Sequence, residues 1–246
     1  MKKLIIALIC LTTIVSHGQD LEAPAAEKFY QFGLKAETVF PIFIGPSATL
    51  SLGQHFETSV GFGLTPEPYY NVIANVSASM GGNSSYGDVI RAAFKNNSIV
   101  KISALHKFNP VAPGWFLGLT ANQLKAKGDA DIDTVLAAAT VRDYSNLKTL
   151  LTLLGRSTKV DLTSDLLIAE MFGGYIWPLT PASEVKVSLG IAKIIDAKVK
   201  MATGLSAFES STAGKSLISQ SESDLVKILK DNGISPTMAV TYDYFF

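Results

Sequence analysis

The side chains that could do chemistry in this chain fall mostly at every second position. Lys35 and Glu37, Glu57, Lys101 and Lys107, Glu170, Lys186, Asp196, Lys198 and Lys200, and Asp243 each sit between apolar residues of the opposite parity. A period of two places such residues on one face of a strand. Acids and bases gathered on the inner face of one sheet must pair, because an unpaired buried charge is costly. The set therefore reads as a salt-bridged plug, or else as a polar conduit or gate. Other candidates fail on spacing. His17, His55 and His106 are the three histidines, and no Ser-His-acid set is apparent that would bring its members within hydrogen-bond reach. Thr212 to Ser216 brushes against a phosphate-binding loop, but Glu209 stands where its first glycine belongs. The Val60 to Gly63 stretch has alternating glycines, with no helix expected after them, so it is no dinucleotide fingerprint. Asp129, Asp131 and Asp133 alternate as in a calcium loop, but Thr134 and Thr140 occupy the glycine and glutamate positions. They read as an acidic helix start that favours the macrodipole. No catalytic residue, cofactor or metal site is expected, and the chain does not read as an enzyme.

The elements that would position the charges are strands. Tyr30, Phe32, Leu34, Ala36, Thr38 and Phe40 alternate with Gln31, Gly33, Lys35 and Glu37. After a turn over Pro41 to Pro46, Ala48, Leu50 and Leu52 oppose Thr49 and Ser51, and Phe56 to Leu64 oppose Glu57 to Thr65. Val100 to Phe108 and Trp115 to Ala121 continue the pattern. A strand from about Lys159 to Leu179 carries Ala169, Met171, Tyr175 and Trp177 on one parity, and a change of phase near Leu166-Leu167 suggests a bulge. Val185 to Ile191 oppose Lys186, Ser188 and Gly190, with the same apolar parity continuing to Met201. Thr237 to Phe246 closes the chain. That gives about eight strands, or ten if loop segments such as Tyr70–Val76 are recruited. Connections after strands 2, 4 and 6 are short, and those after strands 3, 5 and 7 are long.

Composition limits the alternatives. Hydrophobic residues form 48% of 246 residues, yet no run after the N-terminal segment reaches the 18 or so apolar residues of a membrane helix. Residues 1–18 read as a secretory signal peptide, with Lys2-Lys3 ahead of an apolar run from Leu4 to Val15. Residues 19–28 read as a periplasmic leader and 29–246 as one barrel. Without residues 1–18 the chain has 19 basic and 21 acidic residues and no cysteine. There is no disulfide, and no basic field for nucleic acid.

The long connections carry helical patterns, over Asp88 to Asn96, 131–142, 146–154 and 224–231. Val89, Phe94, Leu147, Leu151, Leu225 and Ile228 form apolar stripes. They read as a small core capping the barrel mouth, or as an apolar site that takes a small or hydrophobic ligand or docks a partner.

The last ten residues put Met238, Val240, Tyr242, Tyr244 and Phe246 on one face and Thr237, Ala239, Thr241 and Asp243 on the other. An aromatic C-terminus with aromatic or apolar residues two and four places earlier resembles the closing strand of bacterial outer-membrane β-barrels. In that family Tyr242, Tyr244 and Phe246 would be the signal read by the barrel-assembly machinery. The resemblance implies an all-β, antiparallel up-and-down transmembrane barrel with short helices in its extracellular loops. In general form it is similar to the OmpA-type and OmpW-type small barrels, without a periplasmic domain after the barrel. It also implies an outer-membrane location, lipid contact, both termini on the periplasmic side, and a periplasmic aromatic girdle of Trp115, Tyr175 and Trp177. Some such barrels act on lipid A with His and Ser at the outer leaflet, whereas His55 and His106 sit near the opposite end. The expected role is a non-enzymatic, structural or surface-interaction protein with a side-chain-filled polar interior. A transporter-like barrel passing a small or hydrophobic ligand through the cap is the alternative.

Overall fold

The computed structural model describes residues 30–81, 84–109, 113–131, 134, 159–204 and 206–246. Eight antiparallel strands close into a single barrel in sequence order. They are β1 (Tyr30–Phe40), β2 (Phe43–Leu52), β3 (Phe56–Gly63), β4 (Asn96–Lys107), β5 (Gly114–Asp131), β6 (Lys159–Thr180), β7 (Ser183–Ala202) and β8 (Ile234–Phe245). The ring closes by β1 on β8, with Lys35 opposite Asp243 and Glu37 opposite Thr241. Closure matters because, wherever all eight strands are present, it leaves no row of unpaired backbone groups at a sheet edge.

One end of the barrel carries tight turns. Gly53 takes φ +62° between β2 and β3, a left-handed conformation that glycine adopts without steric cost. Between β6 and β7 the Thr180 and Ser183 hydroxyls lie 2.8 Å apart. The other end carries the long connections, except that β1 passes to β2 through Pro41 and Ile42 alone. Helices α1 (Glu67–Gly81) and α2 (Ser84–Ala93) follow β3; α3 (Ser206–Ser210) and α4 (Thr212–Asn232) precede β8. Ser211 caps α4 by accepting the Gly214 N–H at 3.0 Å. The phosphate-loop-like segment is thus the first turn of α4, and Glu209 accepts the Thr203 N–H instead, at 2.6 Å.

Two local readings of the sequence are corrected here. Tyr70–Val76 is helix α1, not a strand: after Pro66 and Pro68 the apolar residues pack on the barrel mouth, and Tyr70 and Ile73 meet the core there. The helical pattern over Asp88 to Asn96 is α2, which begins four residues earlier and ends at Ala93, with Asp88 inside it and paired with Arg91 at 2.7 Å. The helical patterns over 132–133 and 135–158, with Leu147 and Leu151, lie outside the described residues, as do the signal peptide and leader.

The strands divide into two storeys. β5, β6 and β7 run 18, 22 and 20 residues, against 8 to 12 for the others. In the storey nearer the turns, outward residues are apolar and exposed: Phe62 at 63%, Trp115 at 66% and Leu189 at 67%. Inward residues there are mostly polar and buried. In the storey nearer the helices the polarity inverts. On β5 the outward series passes from Leu117, Leu119 and Ala121 to Gln123, Lys125 and Lys127, while the inward series passes from Thr120 and Asn122 to Leu124 and Ala126. On β6, Val160, Leu162, Leu166 and Ile168 point inward and are buried.

That inversion corrects the expectation of a polar interior throughout: only the turn-side half is polar. It also explains the phase change near Leu166-Leu167. The inward parity of β6 is constant from Val160 to Ile176; the apolar set changes face. The irregularity sits opposite, where Leu167 pairs with Asp196 but Ile168 with Ile194, leaving Ile195 as an extra residue on β7. Beyond it the facing of β7 reverses. Ala197 and Val199 turn inward and are buried, and Asp196, Lys198 and Lys200 point out to solvent, not into the barrel.

Candidate functional site

The turn-side interior holds a network of buried charges. Glu57, 1% exposed, receives the Lys186 ammonium at 2.6 Å, Lys35 at 2.9 Å and Lys107 at 3.3 Å. Lys186 also meets Asp243 at 2.5 Å and Glu184 at 2.9 Å, and Lys107 meets Glu184 at 2.8 Å. A little higher, Lys101 donates to Glu37 at 2.6 Å, and the Ser47 hydroxyl donates to the same carboxylate at 2.6 Å. The fold brings these residues together from β1, β2, β3, β4, β7 and β8. Each arrives because its strand parity points it inward, at a height that the ladder fixes.

Of the charges expected in the interior, Lys35, Glu37, Glu57, Lys101, Lys107, Glu170, Lys186 and Asp243 are inside and buried. Glu184 joins them, and its position as the second residue of β7, beside the β6–β7 turn, hid it from a parity argument. Among the described residues the turn-side bore thus holds four ammonium groups (Lys35, Lys101, Lys107, Lys186) and five carboxylates (Glu37, Glu57, Glu170, Glu184, Asp243). Glu170 is the one of the five with no ammonium within 4 Å among those residues. Its Oε1 accepts the Thr237 hydroxyl at 2.7 Å instead. Oxygens of Glu57, Glu184 and Asp243 lie within 4.8 Å of one another, close enough to hold a metal ion. The lysine ammoniums among them already supply the neutralising charge, so the donor set does not fit a resident metal.

The helix-side interior is a second, apolar plug. Phe43, Ile99, Leu124, Val160, Leu162 and Leu166 are among the most deeply buried side chains. Helix α2 contributes Val89 and Ile90, with Phe94 just beyond its end, and α4 contributes Leu225; Ile228 lines the same space. The remaining cap residues, Leu147 and Leu151, lie outside the described residues. Asn97 ties the cap down: its side chain accepts the Thr65 N–H at 2.6 Å and donates to the Thr65 and Phe94 carbonyls at 2.9 and 2.8 Å. Gly128 lets α2 approach, because a Cβ there would fall 1.7 Å from the Ala92 carbonyl oxygen.

Outside, Trp115, Tyr175 and Trp177 form a contiguous aromatic group near the turns, with ring centroids 5.3 and 4.9 Å apart. Tyr242, Tyr244 and Phe246 face outward on the closing strand, and the Tyr244 and Phe246 rings meet edge-on at 5.4 Å. His55 and His106 stack at 5.7 Å at the turn end, and His55 Nδ1 is 2.8 Å from the Lys107 carbonyl. The rings beside His106 are Phe56 and Phe108.

No protein-family model matches the chain, and no curated protein matches it. Among solved structures, it is similar to CarO from Acinetobacter baumannii, at 10% identity over 87% of this chain and 97% of that one, with a TM-score of 0.36. CarO2 of the same organism is similar at 10% identity, covering 89% of this chain and 100% of that one, with a TM-score of 0.34. A major outer membrane protein from Thermus thermophilus is similar at 13% identity over 88% of this chain and 99% of that one, with a TM-score of 0.39.

Proposed function

We propose that the chain is a non-enzymatic outer-membrane β-barrel protein with a closed lumen, which serves a structural or surface-interaction role by holding its helical cap above the membrane. The observation that carries this reading is the double closure of the bore. A pore needs a continuous watery path, and here salt-bridged side chains fill one storey and apolar side chains fill the other. An eight-stranded barrel has room for little more than its own side chains. The membrane part of the reading is supported by the exposed apolar belt. A belt that includes Phe32, Phe62, Trp115, Leu119 and Leu189 is far larger than a water-soluble monomer leaves uncovered, and apolar-out, polar-in alternation is what hydrocarbon demands of a spanning strand. The inward-facing lysines pair with four of the five acids, and the fifth, Glu170, bonds the Thr237 hydroxyl.

The test is conductance in planar bilayers, on protein that fractionates with the outer membrane and shifts its gel mobility on heating in SDS. Wild-type protein is expected to give no stable channels. Steady, ohmic conductance from heat-shifting protein would refute the closed lumen; an unshifted soluble protein would refute the membrane reading.

A further inference from the structure

Above the bulge at Ile195 the barrel is incomplete. The β7–β8 ladder ends at Lys193 and Ile234, and the Ile194 N–H makes a last bond to the Gly233 carbonyl at 2.8 Å. From there β7 continues to Ala202 with α4, not a strand, covering its free edge; the Met201 N–H is taken by the Glu222 carboxylate at 2.8 Å. Two apolar cavities, about 50 and 30 Å³, lie between this sheet and the helices. Ile90, Phe94, Ile228 and Leu229 line both, so the two lie on either side of these side chains and make up a slot in two parts. Ser235 and Ser164 are the polar residues on its walls.

The slot reaches the outside of the barrel. Ile234 lines the larger cavity and is also 42% exposed on the outward face, beside Ile191 at 59% and Ile195 at 40%. The mouth therefore meets the upper rim of the exposed apolar belt, at the seam where β8 begins. Lys193 faces outward in register with Ile234, and Lys230 on α4 lies 4.0 Å from Asp196 close by. An apolar slot that opens onto a lipid-facing belt under outward ammonium groups fits one kind of occupant. We propose that an anionic membrane lipid seats the first few methylenes of an acyl chain in the mouth of the slot, between α4 and β7, with its head group held near Lys193 and the rest of the chain along the apolar belt. The inference rests on the membrane reading above and adds a binding site to it.

The test is native mass spectrometry of full-length protein refolded into phosphatidylglycerol vesicles and released in mild detergent, with phosphatidylcholine vesicles and added palmitate as separate arms. Wild type is expected to retain one phosphatidylglycerol. Ala192→Phe fills the slot from the sheet side and Ile228→Trp from the helix side; each is expected to lower retention at least about tenfold, the cost of excluding two methylenes. Lys193→Glu is expected to lower phosphatidylglycerol retention and leave phosphatidylcholine unchanged. Heat-shift on gels reports the barrel separately, so a folded variant is required before its retention is read. The proposal fails if folded wild type retains no lipid, if both filling variants fold and retain as much as wild type, or if palmitate is kept and phosphatidylglycerol is not.

Discussion

Substituting glutamate by glutamine at two interior positions should have opposite consequences. At Glu57 the carboxylate is almost fully buried and holds three ammonium groups within 3.3 Å. In Glu57→Gln, Lys186 keeps Asp243 and Glu184, and Lys107 keeps Glu184. Lys35 is the group left stranded, with Asp243 at 3.9 Å as its next carboxylate. Breaking a buried pair from one side costs about 3–5 kcal/mol, which is about two to three and a half powers of ten in the folding equilibrium. At Glu170 no ammonium is lost. The Thr237 hydroxyl that bonds Oε1 at 2.7 Å can bond the glutamine oxygen equally well, and the substitution removes the interior's one excess negative charge. Glu170→Gln should therefore cost less than about 1 kcal/mol, the scale of a single neutral hydrogen bond, or raise stability. The assay is reversible urea unfolding in lipid vesicles, followed by the fluorescence of Trp115 and Trp177. A loss at Glu170→Gln equal to that at Glu57→Gln would refute the division of this network into paired and unpaired carboxylates. So would a loss below about 1 kcal/mol at Glu57→Gln.

The two storeys make a second contrast along one strand. Leu119→Arg, outward on β5 in the apolar belt, should destabilise by about 2–4 kcal/mol in vesicles, whereas Lys125→Leu, outward on the same strand past the inversion, should change stability by about 0.5 kcal/mol or less; equal effects in the same unfolding assay would contradict the inversion. Gly128→Ala should push α2 off the sheet, since its Cβ would overlap the Ala92 carbonyl, at about 1–3 kcal/mol. Limited proteolysis should then cut within residues 84–93 faster than in wild type, and an unchanged digestion rate would rule out that contact.

The barrel was legible in the sequence because period-two alternation survives any change of solvent. The interior charges were legible for the same reason: Lys35, Glu37, Glu57, Lys101, Glu170, Lys186 and Asp243 each share the parity of small or polar neighbours. What misled was the assumption that the apolar parity marks the same face along a whole strand. On β6 the apolar set moves from Met171, Tyr175 and Trp177 outside to Leu162, Leu166 and Ile168 inside, and sequence alone renders that swap as a slipped phase. On β7 the swap coincides with the extra residue at Ile195, so two reversals cancel. Ile191, Ala197 and Val199 keep one parity while passing from the outer face to the inner one, which carried Asp196, Lys198 and Lys200 into the expected interior by mistake. On β5 the signal was present, in Lys125 and Lys127 taking up the parity of Trp115 and Leu117. Helix α1 was hidden for a different reason: Tyr70, Val72, Ala74 and Val76 alternate, but Tyr70, Ile73 and Ala74 also fit a helical face, and packing onto the barrel mouth decided between the two.

The inversion also bears on which solvent surrounds the barrel. A barrel dissolved in water has one exterior along its whole height, and its strands would be apolar inside from end to end. Here the outward series changes from leucine and tryptophan to lysine, glutamine and aspartate at matching heights on neighbouring strands. Lys125 on β5 is paired with Asp165 on β6, and Asp165 with Lys198 on β7. A change that follows the ladder across three strands is a property of height, not of local sequence. The physical setting that varies with height around a barrel is a bilayer with water above it. The interior follows from the exterior. Where lipid covers the outside, apolar side chains gain little by turning inward, and the bore fills with paired charges and hydroxyls. Where water covers the outside, burial regains its driving force, the apolar residues turn in, and the helices close over them. The slot beneath α4 lies where these two regimes meet, at a height where the apolar interior of the helix side adjoins the apolar exterior of the turn side.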